Sequence, residues 1–225
     1  MKKQLVVLLS ITLALVLLTT VVSAKGLTGK GIKLGLNLAN FGGSDADIMD
    51  GKKMRMGLAG GGFITYSFSD MWAIQPEILY TMKGAKYEGT EVIPISATQS
   101  VNADYKVTIK MDYLEIPVLL KLMIPSQSGF KPCLMAGPAL GIKMSSKEKA
   151  EVTVLGVSAS TETDMTDVKS TDFGLVFGAG FGYEVGGGAI TFDARYELGM
   201  STIDNSSNAG DIKNNAISFF VGYSF

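Results

Sequence analysis

The 225 residues carry 20 basic and 21 acidic side chains, a net charge of −1, no histidine and one cysteine. That balance leaves no basic surplus for nucleic acid, no histidine-based triad and almost no zinc donors, and a lone Cys133 cannot build a disulfide framework. With 27 glycines and 9% aromatic residues, the chain suits turns and strands better than helices.

Residues 1–24, MKKQLVVLLSITLALVLLTTVVSA, put Lys2 and Lys3 before an apolar run from Leu5 to Val22 and close on Val22-Ser23-Ala24. A charged start, an apolar middle and a small-residue ending form a signal peptide, so export is expected. An uncleaved anchor helix is the alternative, because the run approaches membrane-spanning length. The hydroxyls of Ser10, Thr12, Thr19 and Thr20 and the small ending favour cleavage. Residues 25–225 are then one domain. Cleavage removes two basic residues and no acidic one, so the exported chain stays slightly acidic.

From Gly31 onward the pattern alternates with period two. GIKLGLNLA (31–39) sets Ile32, Leu34, Leu36 and Leu38 on one face and Lys33, Gly35, Asn37 and Ala39 on the other. Seven further strands are predicted at 54–68, 72–83, 113–122, 130–143, 172–185, 189–201 and 215–225. Their connections alternate in length. Ser69-Asp70-Met71, 123–129 and Gly186-Gly187-Gly188 are short, whereas 41–53, 84–112, 144–171 and 202–214 are long and polar. Short periplasmic turns alternating with long outer loops describe an up-and-down membrane barrel.

The strand faces distinguish two all-β architectures. Arg55, Glu77, Lys83, Glu115, Lys121, Lys131, Lys143, Asp172, Glu184, Asp193, Arg195 and Glu197 share one parity of their strands. Ile74, Ile78, Leu114, Ile116, Val118, Leu120, Leu134, Leu140, Phe177, Phe192, Phe219 and Val221 share the other. A basic side chain facing lipid at the membrane midplane costs about 2–4 kcal/mol, so in a membrane barrel the charged face must be the lumen. In 105–112 the apolar residues are Val107, Ile109 and Met111, and Lys106, Lys110 and Asp112 alternate with them. This predicts a strand extension above the membrane whose parity flips near Tyr113, with a bulge at the join.

A soluble lipocalin-like barrel would instead turn the apolar face inward around a ligand. Its water-facing side would then include Gly174, Gly178, Gly180 and Gly182, a weak strand surface. In a narrow membrane barrel the same glycines make room for larger neighbours in the lumen. Tyr66, Phe68, Trp72, Phe130, Tyr183 and Tyr223 all have outward parity beside the short turns or the chain end, and they predict an aromatic girdle at the periplasmic lipid boundary. Pro76, Pro117 and Pro138 fall inside predicted strands. Proline gives a ladder no donor, so bulges or local gaps are expected there.

The proline segments also carry a family resemblance. IQPEILYTMKGAKY (74–87), DYLEIPVLLKL (112–122), KPCLMAGPALGI (131–142), FGLVFGAGFGYEV (173–185) and FDARYELGM (192–200) resemble, in this order, the bacterial outer-membrane β-barrel family called PorT-like. The resemblance spans residues 31–225. It implies an all-β, eight-stranded antiparallel up-and-down transmembrane barrel with a narrow, side-chain-filled lumen, located in the bacterial outer membrane. It implies no shared enzymatic activity and no cofactor. One namesake branch resembles a component associated with protein secretion across the outer membrane.

Glu77, Glu115, Lys121, Asp193, Arg195 and Glu197 form the strongest constellation. They are expected to meet in the lumen as a structural network of charge pairs, because buried charges must pair. Acid–base catalysis by paired carboxylates is the competing use. DADIMDG (45–51) has calcium-loop character, but Met49 and Met56 stand where the EF-hand pattern needs an oxygen ligand and a glutamate. Cys133 has inward parity among Met135 and Ala139 and fits as a packed side chain. The loop 145–171 alternates at its flanks, which predicts a hairpin extending the fifth and sixth strands above the membrane. Its edges suit pairing with an extracellular or periplasmic protein partner. The remaining expected partners are outer-membrane lipid and the barrel-insertion machinery. For the latter, the chain ends AISFFVGYSF, and the resemblance implies that Phe225 is the terminal aromatic read during assembly.

Overall fold

The computed structural model describes residues 26–47, 50–96, 98–126, 129–206 and 210–225. The expected export signal, 1–24, lies outside the described residues. Nine strands are present among them. They are β1 (Gly26–Gly42), β2 (Lys52–Ser67), β3 (Trp72–Pro94), β4 (Ser100–Met123), β5 (Phe130–Val154), β6 (Val157–Asp164), β7 (Thr171–Val185), β8 (Gly188–Gly199) and β9 (Lys213–Ser224). Eight of them close an antiparallel ring in the order β1-β2-β3-β4-β5-β7-β8-β9, and β9 pairs back onto β1. β6 stands outside the ring and pairs with the upper part of β5.

Closure uses the last residues of the chain. Ser224 pairs with Gly31, and the Phe225 N–H donates to the Lys30 carbonyl at 2.8 Å. The terminal Phe225 ring packs edge-on against Tyr223, with centroids 5.4 Å apart. A closed ring leaves no edge within the membrane, which hydrocarbon would not tolerate.

The face assignment follows lipid chemistry. Ile78 is 59% exposed and its neighbour Glu77 1%. Ile32, Leu34, Leu134, Phe177, Phe219 and Val221 face outward, while Lys33, Asn37, Gln75, Lys83, Glu115, Lys121, Asp193, Arg195 and Glu197 are buried. A soluble lipocalin-like barrel would have these faces exchanged. Gly178 and Gly180 pair directly with Arg195 and Asp193 on β8. A Cβ on Gly180 would lie 2.5 Å from Asp193 Oδ1, so the space these glycines leave is filled by the adjacent strand.

Three strand expectations need correction. β3 runs on well beyond its expected end, to Pro94, opposite a β4 that starts at Ser100, so the outer loop between β3 and β4 shrinks to a few residues, while β4 and β5 extend above the membrane as expected. The predicted sixth strand is not extended, and the separate β6 completes the outer hairpin instead. The parity of β4 also does not flip at Tyr113. Ala103, Ile109, Met111, Tyr113, Glu115, Leu119 and Lys121 all point inward with one continuous alternation. The bulge lies on β5. Asp112 pairs with Ser145 and Tyr113 with Lys143, leaving Met144 unpaired and turned outward. At the prolines there is no bulge. The β3–β4 ladder is interrupted between Pro76 and Leu79, and the β4–β5 ladder between Pro117 and Leu120, each without a change of register.

Candidate functional site

Inward parity gathers the lumen charges into two groups. In the first, Glu77 sits at the centre. Arg195 donates to both of its carboxylate oxygens at 2.7 and 2.8 Å, and Lys33 Nζ lies 3.0 Å away. Asp193 completes the group, 2.7 Å from Lys33 and 2.8 Å from Arg195. Gln75 donates to Glu77 at 2.5 Å and accepts from Lys121 at 3.1 Å, so Lys121 joins through an amide. The rings of Phe63 and Phe220 lie under the Lys33 ammonium at 4.7 and 5.5 Å. Bidentate geometry and ring contacts offset the desolvation that buried charges otherwise incur.

The second group lies nearer the outer end. Lys83 Nζ is shared by Glu115 at 2.6 Å and Glu197 at 2.5 Å. Thr81 donates to Glu115 at 3.2 Å, and the Tyr113 ring lies 5.7 Å from the ammonium. Asn214 bonds Asp172 at 2.9 Å and Tyr113 Oη at 3.2 Å. Between the two groups a void of about 10 Å³ is lined by Asn37, Thr81, Glu115, Arg195, Glu197 and Ser218. That is the room one water needs. Glu115 and Glu197 face a space the size of a single water.

The six residues expected in the lumen are therefore all there, divided between two clusters. Lys33 and Lys83, the cations that hold the carboxylates together within the first and the second cluster, were not in the expected set. Both share the inward parity of the six. Lys131 and Glu184 pair with each other at the exposed periplasmic rim. Cys133 is buried with Met135, Ala139, Leu119 and Val176. In the first outer loop Ile48 and Met49 lie outside the described residues. Asp45 there accepts from the Asp211 N–H at 2.7 Å, and Asp47 pairs with Lys52 at 2.6 Å.

Tyr66, Trp72, Phe130, Tyr183 and Tyr223 lie exposed beside the short turns, and Phe68 is half-buried next to them. Phe130, Phe181 and Phe192 form a continuous outward stack with centroids 4.9 Å apart.

Above the charges the interior becomes apolar. Phe41, Ala46, Ala85, Tyr87, Ile109, Met111, Tyr113, Val168 and Ile203 form one buried cluster, drawn from the strand extensions and from three outer loops. Tyr87 Oη donates to the Ala46 carbonyl at 3.1 Å, tying the first loop down over the opening. The lumen is thus filled below by ion pairs and covered above by hydrocarbon.

An outward apolar belt, a closed antiparallel ring and a lumen of paired charges describe a membrane barrel, and the family comparison agrees. The outer membrane protein beta-barrel domain model matches residues 28–205. The chain belongs to this family. Its place is the bacterial outer membrane. This barrel is similar to solved outer-membrane barrels at low identity. Neisserial surface protein A is 18% identical over 89% of this chain and 100% of that one, with a TM-score of 0.44. Ail, the attachment invasion locus protein of Yersinia pestis, is 17% identical over 88% and 98%, with a TM-score of 0.36. OprG from Pseudomonas aeruginosa is 14% identical over 89% and 97%, with a TM-score of 0.40. A search of curated proteins found no match.

Proposed function

We propose that this barrel is a non-catalytic interaction protein, closed to solutes, which holds a contact strand above the outer membrane. The observation that carries this reading is β6. All eight of its residues are exposed, and it pairs with β5 along one edge only. A two-residue turn at Leu155 and Gly156, both with positive φ, joins the two strands. With Val154 opposite Val157, the N–H groups of Ser158, Ser160 and Glu162 point away from β5. Natural edges are usually guarded by lysine, proline or a bulge, and Val157–Thr161 contains none. An extended segment of an extracellular protein can add there as the next strand. The narrow void and the apolar cover support a barrel without a solute path.

The kinship to the PorT-like branch, suggested by the ordered motifs at 74–87, 112–122 and 131–142, belongs to the same proposal. So does recognition of Phe225 by the insertion machinery. Cells displaying the protein should adhere to immobilised extracellular proteins better than cells lacking it. Ser160→Pro removes one outward donor and should reduce adherence several-fold, with the heat-shifted folded form unchanged on gels. Equal adherence with and without the protein overturns the reading.

A further inference from the structure

The outward face of β2–β6 changes character over two rows of residues. Its last wholly apolar row is Tyr80–Leu114–Ile142. Beyond Met82, Asp112 and Ser145, the next two rows carry Lys53, Lys86, Lys110, Lys147 and Lys149 against Glu162 and Asp164. The two rows beyond those carry Lys106 against Glu88, Glu151 and Asp104. Positive charge is therefore concentrated where the sheet leaves the hydrocarbon, and negative charge further out.

The lysines are also arranged in pairs. Glu88 lies between Lys53, at 2.8 Å, and Lys86. Glu151 lies between Lys149 at 3.1 Å and Lys106 at 3.3 Å. Glu162 lies between Lys110 at 2.6 Å and Lys147 at 3.4 Å. The clasps at Glu88 and Glu151 each have two ammonium groups and one carboxylate, so each keeps a positive charge of its own, whereas in the third Lys147 also pairs with Asp164 at 3.9 Å and the charges balance. The lysines are partly exposed, and exposed ion pairs are weak, so their heads can turn to a stronger anion. Lys110 stands four residues beyond Leu114, about 13 Å along the strand and nearer 10 Å along the membrane normal after strand tilt. Lysine stems can reach back from there to the headgroup layer. Just above, a trough of about 510 Å³ is lined by Lys53, Glu88, Thr90, Asp104, Lys106 and Glu151, with room for polar sugar.

We infer that this lysine belt binds the phosphate groups of an outer-leaflet glycolipid. The lipid lies against the outward apolar face, its phosphates bridge the paired ammonium groups, and its sugars occupy the trough. The lysines themselves stand on β2 to β5, away from the outward N–H groups of β6, so the belt gives the barrel a fixed lipid neighbour whatever protein the edge meets.

The test uses the purified full barrel in detergent, with lipid retention read by native mass spectrometry. The probes are diphosphorylated lipid A and its dephosphorylated form. The phosphorylated lipid should bind roughly 10- to 100-fold tighter, and more weakly as salt is raised. The combined Lys110→Gln, Lys147→Gln, Lys149→Gln variant should lose most of that preference, while Lys131→Gln at the periplasmic rim keeps it. Heat-shift gels verify that each variant is folded. Equal retention of the two lipids, or an unchanged preference in the triple variant, overturns the inference. A soluble sulfated oligosaccharide that binds the belt as tightly as the lipid assigns it to a soluble polyanion and overturns it as well.

Discussion

The interior of this barrel is charged at membrane depth and apolar above it, although the same strands build both parts. On β4, Lys121 and Glu115 point inward below, and Tyr113, Met111 and Ile109 point inward above, in unbroken alternation. What changes between the two zones is the solvent outside. Against lipid the outward residues must be apolar, so polar groups gather inside and pair. Against water the outward residues are polar, and the interior becomes an ordinary apolar core. Below, the fold is ordered by specific ion pairs, and above by packing.

The largest effect should come from removing the centre of the lower network. Glu77→Ala leaves Arg195 and Lys33 buried without their main partner and should cost about 3–5 kcal/mol in a detergent unfolding titration. A loss below about 1 kcal/mol would mean the ion pairs are incidental. The two zones should also answer one substitution differently. Ile78→Lys puts a charge into lipid and should cost about 2–4 kcal/mol. Thr108→Lys, outward in the upper zone, should stay within about 0.5 kcal/mol. Equal costs would erase the distinction between the zones.

Deleting Phe225 should change assembly more than final stability. The residue contributes one backbone bond to Lys30 and an exposed ring. The folded fraction in isolated outer membranes should fall several-fold, whereas a barrel refolded in detergent should melt nearly as the intact chain does. Normal insertion of the shortened chain would refute this.

The smallest effect is one of pH, in the upper zone alone. Hydrogen bonds from Lys53 and Lys86 hold the Glu88 carboxyl down to about 2, and Glu151 and Glu162 are lowered by their own lysine pairs. A carboxyl lowered on folding adds stability above its ordinary range near 4.5, and that stability is lost as pH falls toward 2. Protease resistance of the extension should hold from pH 8 to about 5 and decline slightly below about 4.5. A decline on raising the pH instead would contradict the clasps.

Much of the membrane zone was legible because lipid permits one outward chemistry, so period-two alternation alone sorts Ile78 from Glu77. The upper zone was harder to read. There Val107, Ile109 and Met111 keep the inward parity of Glu115 while reversing its polarity, and a reversal of polarity resembles a shift of register. The bulge was expected on β4 and occurs at Met144 of β5, because Met144 and Ser145, between Lys143 and Ser146, show no break in pattern. Lys33 and Lys83 were recognisable by parity, since each alternates with the lipid-facing residues of its strand. Pairing of the lumen charges into two groups depends on the stagger of the strands, which no single strand carries. The open edge of β6 was anticipated as the edge of a hairpin above the membrane, but as an extension of the fifth and sixth strands rather than as a separate strand.

The continuous parity of β4 across the membrane boundary is the central claim, and single-cysteine labelling along Lys106–Ile116 in a Cys133→Ser background tests it most directly. Charged aqueous maleimide should react at 106, 108 and 110 and spare 107, 109 and 111, while a lipid-soluble probe should take over at 114 and 116 and spare 115. If 107, 109 and 111 react with the aqueous reagent while their even neighbours are protected, the strand flips at Tyr113 and the account is wrong.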